Sequence, residues 1–194
     1  MMKNLIFLGL LILAGCFSGF VMNLSEQDIH NKINLVPNFS FEEGEYNYNA
    51  MPDKWMVLDK PKKVVFWDKD TFYGGNKSLK IEHPSKSIKI ISDSFIIDPG
   101  AVYFIKAFVK SQKTTSSQVI INFFVFNIEG KKVNIFKKKF FVEDKWTKLT
   151  LTSGFFKSSA KFARVIITIP RKPDNTFWVD NIGVYAVHSF MKRK

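Results

Sequence analysis

From Asn34 to Val187 the chain is cut into short apolar runs by turn signals, and that punctuation leaves few folds open to it. The first run, Asn34 to Glu42, is interrupted by Pro37, and Val64 to Trp67 follows. After the turn Tyr73-Gly74-Gly75-Asn76 comes Ser78 to Glu82, then Ser87 to Ile97, closed by Asp98-Pro99-Gly100. Val102 to Lys110 and Gln118 to Asn127 precede a hairpin turn at Glu129-Gly130-Lys131. Val133 to Val142, Thr147 to Thr152, Phe162 to Ile169 and Phe177 to Val187 complete the series. Each run has strand length and is rich in β-branched residues and Phe, and no window keeps a helical period with caps. The 21 Phe residues need one large apolar interior, and 194 residues suffice to enclose one. The expected fold is therefore all-β, with two antiparallel sheets packed face to face as a sandwich.

The N-terminus has a different logic. Leu5 to Leu13 is apolar throughout, and Lys3 is the only charge before Glu26. A membrane-spanning helix needs about 20 apolar residues, so this run is too short to span and has the form of a secretory signal peptide. Leu13-Ala14-Gly15-Cys16 resembles the lipobox of bacterial lipoproteins. The resemblance implies removal of residues 1–15, a diacylglycerol on Cys16, and a tether over 16–33. It places an exported, membrane-anchored protein in the bacterial cell envelope. Cys16 is the only cysteine, so no disulfide forms within a monomer, the expected state. The domain is expected over 34–188, with a basic tail at 189–194.

The formal charge of +12 invites a nucleic-acid partner, but an exported chain without a nucleic-acid motif is not expected to have one. Its lysines are spread along the chain, as solvated turns and strand ends would be. They also suit an acidic polymer or anionic lipid headgroups.

Six segments taken in order resemble the carbohydrate-binding modules appended to xylanases, within the galactose-binding-like jelly-roll superfamily. They are Asn34-Leu35-Val36-Pro37-Asn38-Phe39-Ser40-Phe41-Glu42, Met51-Pro52-Asp53-Lys54-Trp55, and Gly75-Asn76-Lys77-Ser78-Leu79-Lys80-Ile81. Asp98-Pro99-Gly100-Ala101-Val102-Tyr103 with Val109-Lys110-Ser111, Trp146-Thr147-Lys148-Leu149, and Trp178-Val179-Asp180-Asn181-Ile182 complete them. Phe39 stands where glycine is common in the family. The resemblance implies a jelly roll that binds a glycan or polysaccharide without transforming it. The rival expectation is an envelope protein with a structural or protein-interaction role that keeps the fold without the sugar site.

The resemblance also implies a structural Ca²⁺, held by Glu42, Asp180 and the backbone carbonyl of Lys77. Such an ion takes six to eight oxygens and would relieve two buried carboxylates. For the ligand, sugars stack their C–H faces on aromatic rings. Alternation along Val102 to Lys110 puts Phe104, Lys106 and Phe108 on one side and Tyr103, Ile105, Ala107 and Val109 on the other. The first set is expected on a solvated concave face, joined by Arg164, Phe124 and Phe126, with Trp67 as a stacking platform at the rim. Trp55, Trp146 and Trp178 are expected in the core. No catalytic site is expected: His30, His83 and His188 lie apart, and the chain has no G-x-S-x-G, P-loop or HExxH.

Overall fold

A computed structural model describes residues 24–45, 51–58 and 64–189. The expected signal peptide at 1–15, Cys16 and residues 190–194 lie outside the described residues, and Ser189, expected to open the basic tail, instead ends β11 opposite Ala101. Among the described residues, eleven strands form two sheets in which every pairing is antiparallel. The first sheet holds β1 (Trp55–Leu58), β4 (Ile88–Ser92), β10 (Phe162–Ile169), β7 (Ser117–Phe126) and β8 (Lys132–Val142), in that order, and β5 (Phe95–Ile96) pairs with β10. The second runs β2 (Val65–Asp68), β3 (Ser78–Glu82), β11 (Thr176–Ser189), β6 (Ala101–Ser111) and β9 (Thr147–Thr152). The fold is a β-sandwich, as the run pattern requires.

Alternation sorts each strand between core and outer surface. Ala163, Val165, Ile167 and Ile169 of β10 are fully buried and meet Val119, Ile121, Phe123 and Val125 of β7 in one core. From the second sheet, Tyr103, Ile105, Ala107 and Val109 reach the same core. At roughly 25 cal/mol per Å² of apolar surface, this burial is the main force holding a chain with no internal disulfide.

The expected first strand over 34–42 does not form. Asn38 and Phe41 have φ of 46° and 60°, which breaks an extended path, and Pro37 removes an N–H from any ladder. Asn38 holds the resulting turn: its amide donates to the carbonyls of Glu43 (2.9 Å) and Asp53 (2.8 Å), and its own carbonyl accepts from Trp55 Nε1 (2.9 Å). The left-handed backbone thus falls on Asn38 and Phe41, and Phe39 needs no glycine.

The described part of the expected tether is docked. Glu26 bridges Lys106 (3.2 Å) and Lys148 (3.3 Å), Ile29 is buried, and the N–H of Leu35 bonds to the carbonyl of Val184. This segment therefore covers part of the outer face of the second sheet.

Candidate functional site

The sequence-derived ligand residues fall on opposite outer faces of the sandwich. Phe104, Lys106 and Phe108 belong to β6 in the second sheet, whereas Phe124, Phe126 and Arg164 belong to β7 and β10 in the first. No single ligand face holds both groups.

The β6 group is closed to solvent. Phe104 is 3% exposed and Phe108 8%. Tyr73 stacks on Phe108, with ring centres 3.6 Å apart and planes at 14°, and the Trp146 ring meets Tyr73 edge-on at 5.9 Å. Lys106 is committed to Glu26 and lies 5.4 Å from the Tyr185 ring centre. Alternation separated this set from the core correctly, but the loop after β2 and the N-terminal segment fold over it. Trp146, expected in the core, is half-buried in this outer layer.

Trp67 is not a rim platform. It is 5% exposed, packs in the main core and donates its indole N–H to the Phe41 carbonyl at 2.6 Å. The Lys77 ammonium covers its ring at 4.2 Å. A ring with its polar edge satisfied and its faces packed offers no stacking surface to a sugar. Trp55 is a core residue, as expected, and Trp178 is buried with its N–H on Asp68 Oδ2 at 2.7 Å.

Phe124, Phe126 and Arg164 do come together. They line an open trough of about 530 Å³ on the outer face of the first sheet, a size within the usual range of ligand sites. The ladder register sets Arg164 directly across from Phe124, and Phe162 across from Phe126. Ile91, Ile166 and Leu58 continue the apolar floor toward β1, and Lys132 closes the other side with its ammonium 4.7 Å from the Phe124 ring centre. Leu58 and Ile91 were missed in the sequence because nothing local reveals that β1 and β4 continue the sheet beyond β10, whereas Phe162, two residues before Arg164 on β10, was open to the same alternation and was not included. Arg164 is half-buried, and among the described residues its guanidinium makes no hydrogen bond or ion pair. Rings and aliphatic side chains beside a fork of five N–H donors can stack on an apolar ring face and bind oxygens at its edge.

The residues implied for calcium converge on a different place, the turn before β3. Asp180 is fully buried and accepts backbone N–H bonds from Tyr73 (2.7 Å), Gly74 (3.0 Å) and Asn181 (2.6 Å). Glu42 Oε1 accepts from Asn76 (2.8 Å) and Lys77 (3.1 Å). Gly75, at φ +75°, passes so close that an added Cβ would sit 2.3 Å from Glu42 Oε1. Burial pushes the Asp180 carboxyl up to about 6, the three N–H bonds oppose the rise, and the charge of Glu42 adds to it. The Lys77 ammonium bonds to the Glu42 backbone carbonyl at 2.8 Å. Two carboxylates at one backbone turn fit a hard cation in donor type. Among the described residues no three acidic, His or Cys side chains cluster, so most ligands to such an ion would be backbone oxygens.

No family model and no curated protein matches the sequence. Solved structures do share the fold. An arabinose-bound α-L-arabinofuranosidase, MgGH51, matches with a TM-score of 0.58 and 14% identity over 78% of this chain and 26% of its own. The module TmCBM61, in complex with β-1,4-galactotriose, matches with a TM-score of 0.54 and 16% identity over 79% of this chain and 99% of its own. The CBM22-1 xylan-binding domain of Paenibacillus barcinonensis Xyn10C matches with a TM-score of 0.51 and 20% identity, covering 78% and 93% respectively. The chain thus spans about a quarter of the arabinofuranosidase and nearly all of each binding module. Its fold is the jelly-roll β-sandwich of carbohydrate-binding modules.

Proposed function

We propose that this protein is a non-catalytic, lipid-anchored glycan-binding protein of the bacterial envelope, and that the trough on the first sheet is its sugar site. The observation that carries the reading is the trough itself, where Phe124, Phe126 and Phe162 lie beside an Arg164 whose guanidinium has no partner among the described residues. The rings take apolar sugar faces, and the guanidinium takes ring or substituent oxygens. Neighbours of the same fold with printed sugar ligands support this choice of ligand class. The anchor is assigned to Cys16, and a structural calcium to Glu42, Asp180 and the carbonyl of Lys77, as the resemblance implies. When bound, that ion would neutralise the two carboxylates and tie the turn before β3 to β11.

A glycan array probed with the full chain in neutral detergent tests the reading. Binding to a defined glycan, lost in Phe124→Ala with an unchanged melt, is the expected result. Absence of binding across the array would transfer the protein to the protein-interaction reading. That reading draws on the exposed Phe141 and Phe155, which are 67% and 68% accessible.

A further inference from the structure

The two sheets differ in charge in a way the composition hides. The strands of the first sheet contain no Asp or Glu, yet carry Lys89, Lys132, Lys137, Lys138, Lys139 and Arg164. The strands of the second hold Asp68, Glu82 and Asp180 among their cations, and its lysines are partly committed: Lys80 to Glu82, and Lys106 and Lys148 to Glu26. Among the strand residues, the uncompensated positive charge is therefore concentrated on the sheet that bears the trough.

Protection of the edge explains only part of this. β8 is an edge strand, and lysines on an edge discourage pairing with another chain. Lys89 and Arg164 lie on β4 and β10, strands paired on both sides, where no edge needs protection. The outward positions agree with a binding role. The register places Lys137 beside Asn122 and Lys139 beside Ile120, flanking the trough along the strand direction, with Thr168 and Lys89 paired across β10 and β4. Arg164 sits within the trough itself, half-buried, and among the described residues its guanidinium has no acidic partner.

Resting on the glycan reading of this trough, we infer that its ligand class is a polyanionic polysaccharide, bearing carboxylate or sulfate groups, laid across the outer face of the first sheet. Arg164 grips one anionic group with its planar fork, and Lys89, Lys132, Lys137 and Lys139 meet groups on neighbouring sugars. An anionic bilayer would satisfy the same charges, but the rings of Phe124, Phe126 and Phe162 beside Arg164 suit a stacked sugar ring that carries the charge.

Titration calorimetry of the full chain in neutral detergent tests this with polygalacturonate and heparin as the carboxylate and sulfate probes, and with xylan and galactan as neutral ones. The expected result is binding to one or both polyanions at least about tenfold tighter than to the neutral chains, weakening as salt screens the charges. Arg164→Gln and the double variant Lys137→Gln/Lys139→Gln should each remove most of that preference. The double variant Lys110→Gln/Lys148→Gln, which removes equal charge from the second sheet, should keep it. Equal, salt-insensitive binding of neutral and acidic chains would overturn the anionic class and leave the site reading standing. Equal loss in the second-sheet variant would also overturn it, because net charge alone would then explain the preference. Failure of every glycan would defeat the site reading beneath it. Failure of every glycan together with capture by phosphatidylglycerol vesicles that Arg164→Gln abolishes would assign the face to a lipid surface.

Discussion

Arg164 and Phe124 are direct cross-strand partners on the outer face of the first sheet, with Phe124 one strand and Arg164 two strands in from Lys132 and Ile135 on the edge. Opposite residues in an antiparallel pair have Cβ atoms about 5 Å apart, so ring and guanidinium act as one surface. Phe124→Ala and Arg164→Ala should each weaken glycan binding by about 1–3 kcal/mol, with melting midpoints within a few degrees of the parent. Both side chains are half-exposed and contribute little to the core. A large loss of stability in either would show that the trough is packing and not a site.

Trp67→Ala should behave in the opposite way. It removes a buried ring and leaves the Phe41 carbonyl without its 2.6 Å donor, so a loss of about 3–5 kcal/mol in folding stability is expected. Chemical denaturation measures this directly. An unchanged midpoint would contradict the packing of Trp67 between the Lys77 ammonium and the core.

The buried Asp180 gives stability a pH dependence of defined sign. Its carboxyl is raised from 3.8 to about 6 on folding, so the folded chain holds this proton more tightly than the unfolded one. The stabilisation is fully present below about pH 4 and is lost as pH rises through 6, amounting to about 2–3 kcal/mol. Asp180→Asn should flatten that window of the pH–stability curve. If stability instead rises through the window in the wild type alone, the carboxyl is not raised.

Calcium should reverse the cost of that ionisation. A divalent ion favours the charged carboxylates, so millimolar calcium should raise the melting midpoint at pH 7 and do little at pH 4. At a hundredfold excess over Kd the gain is about 2.7 kcal/mol. Coincident melts with and without chelator at pH 7 would remove calcium from the proposed function.

Cys16→Ser should abolish incorporation of a fatty-acid analogue in cells and leave the signal segment uncut. Equal labelling of mutant and wild type would mean that Leu13 to Cys16 is no lipobox.

Much of this architecture was legible along the chain. The eight runs from Ser78 onward correspond to β3 to β11 within a residue or two, except that Asp93 and Ser94 divide Ser87 to Ile97 into β4 and β5. Arg164, expected on the solvated face, does lie opposite the buried Ala163, Val165, Ile167 and Ile169 of its strand. These features follow from a period of two residues, a property of each strand by itself. The failures were of two kinds. The stretch from 34 to 42 was read as a strand interrupted only by Pro37, but the left-handed Asn38 and Phe41 turn it, held by side-chain bonds to residues as distant as Asp53.

The second kind concerns the site. Alternation determines which side chains of a strand share a face, and for β6, β7 and β10 the sequence alone was enough for that. It does not determine which sheet a strand joins, because a ladder partner lies tens of residues away and is chosen by the packing of the whole chain. Only the tertiary structure put Phe104 and Phe108 on one outer surface and Phe124, Phe126 and Arg164 on the other. It also decided which surface stays open: residues 24–35 and the turn at Tyr73 return over the second sheet and bury its aromatic rings, while the trough on the first is left to a ligand. Burial is set by what a distant segment covers, and no period within a strand carries that information.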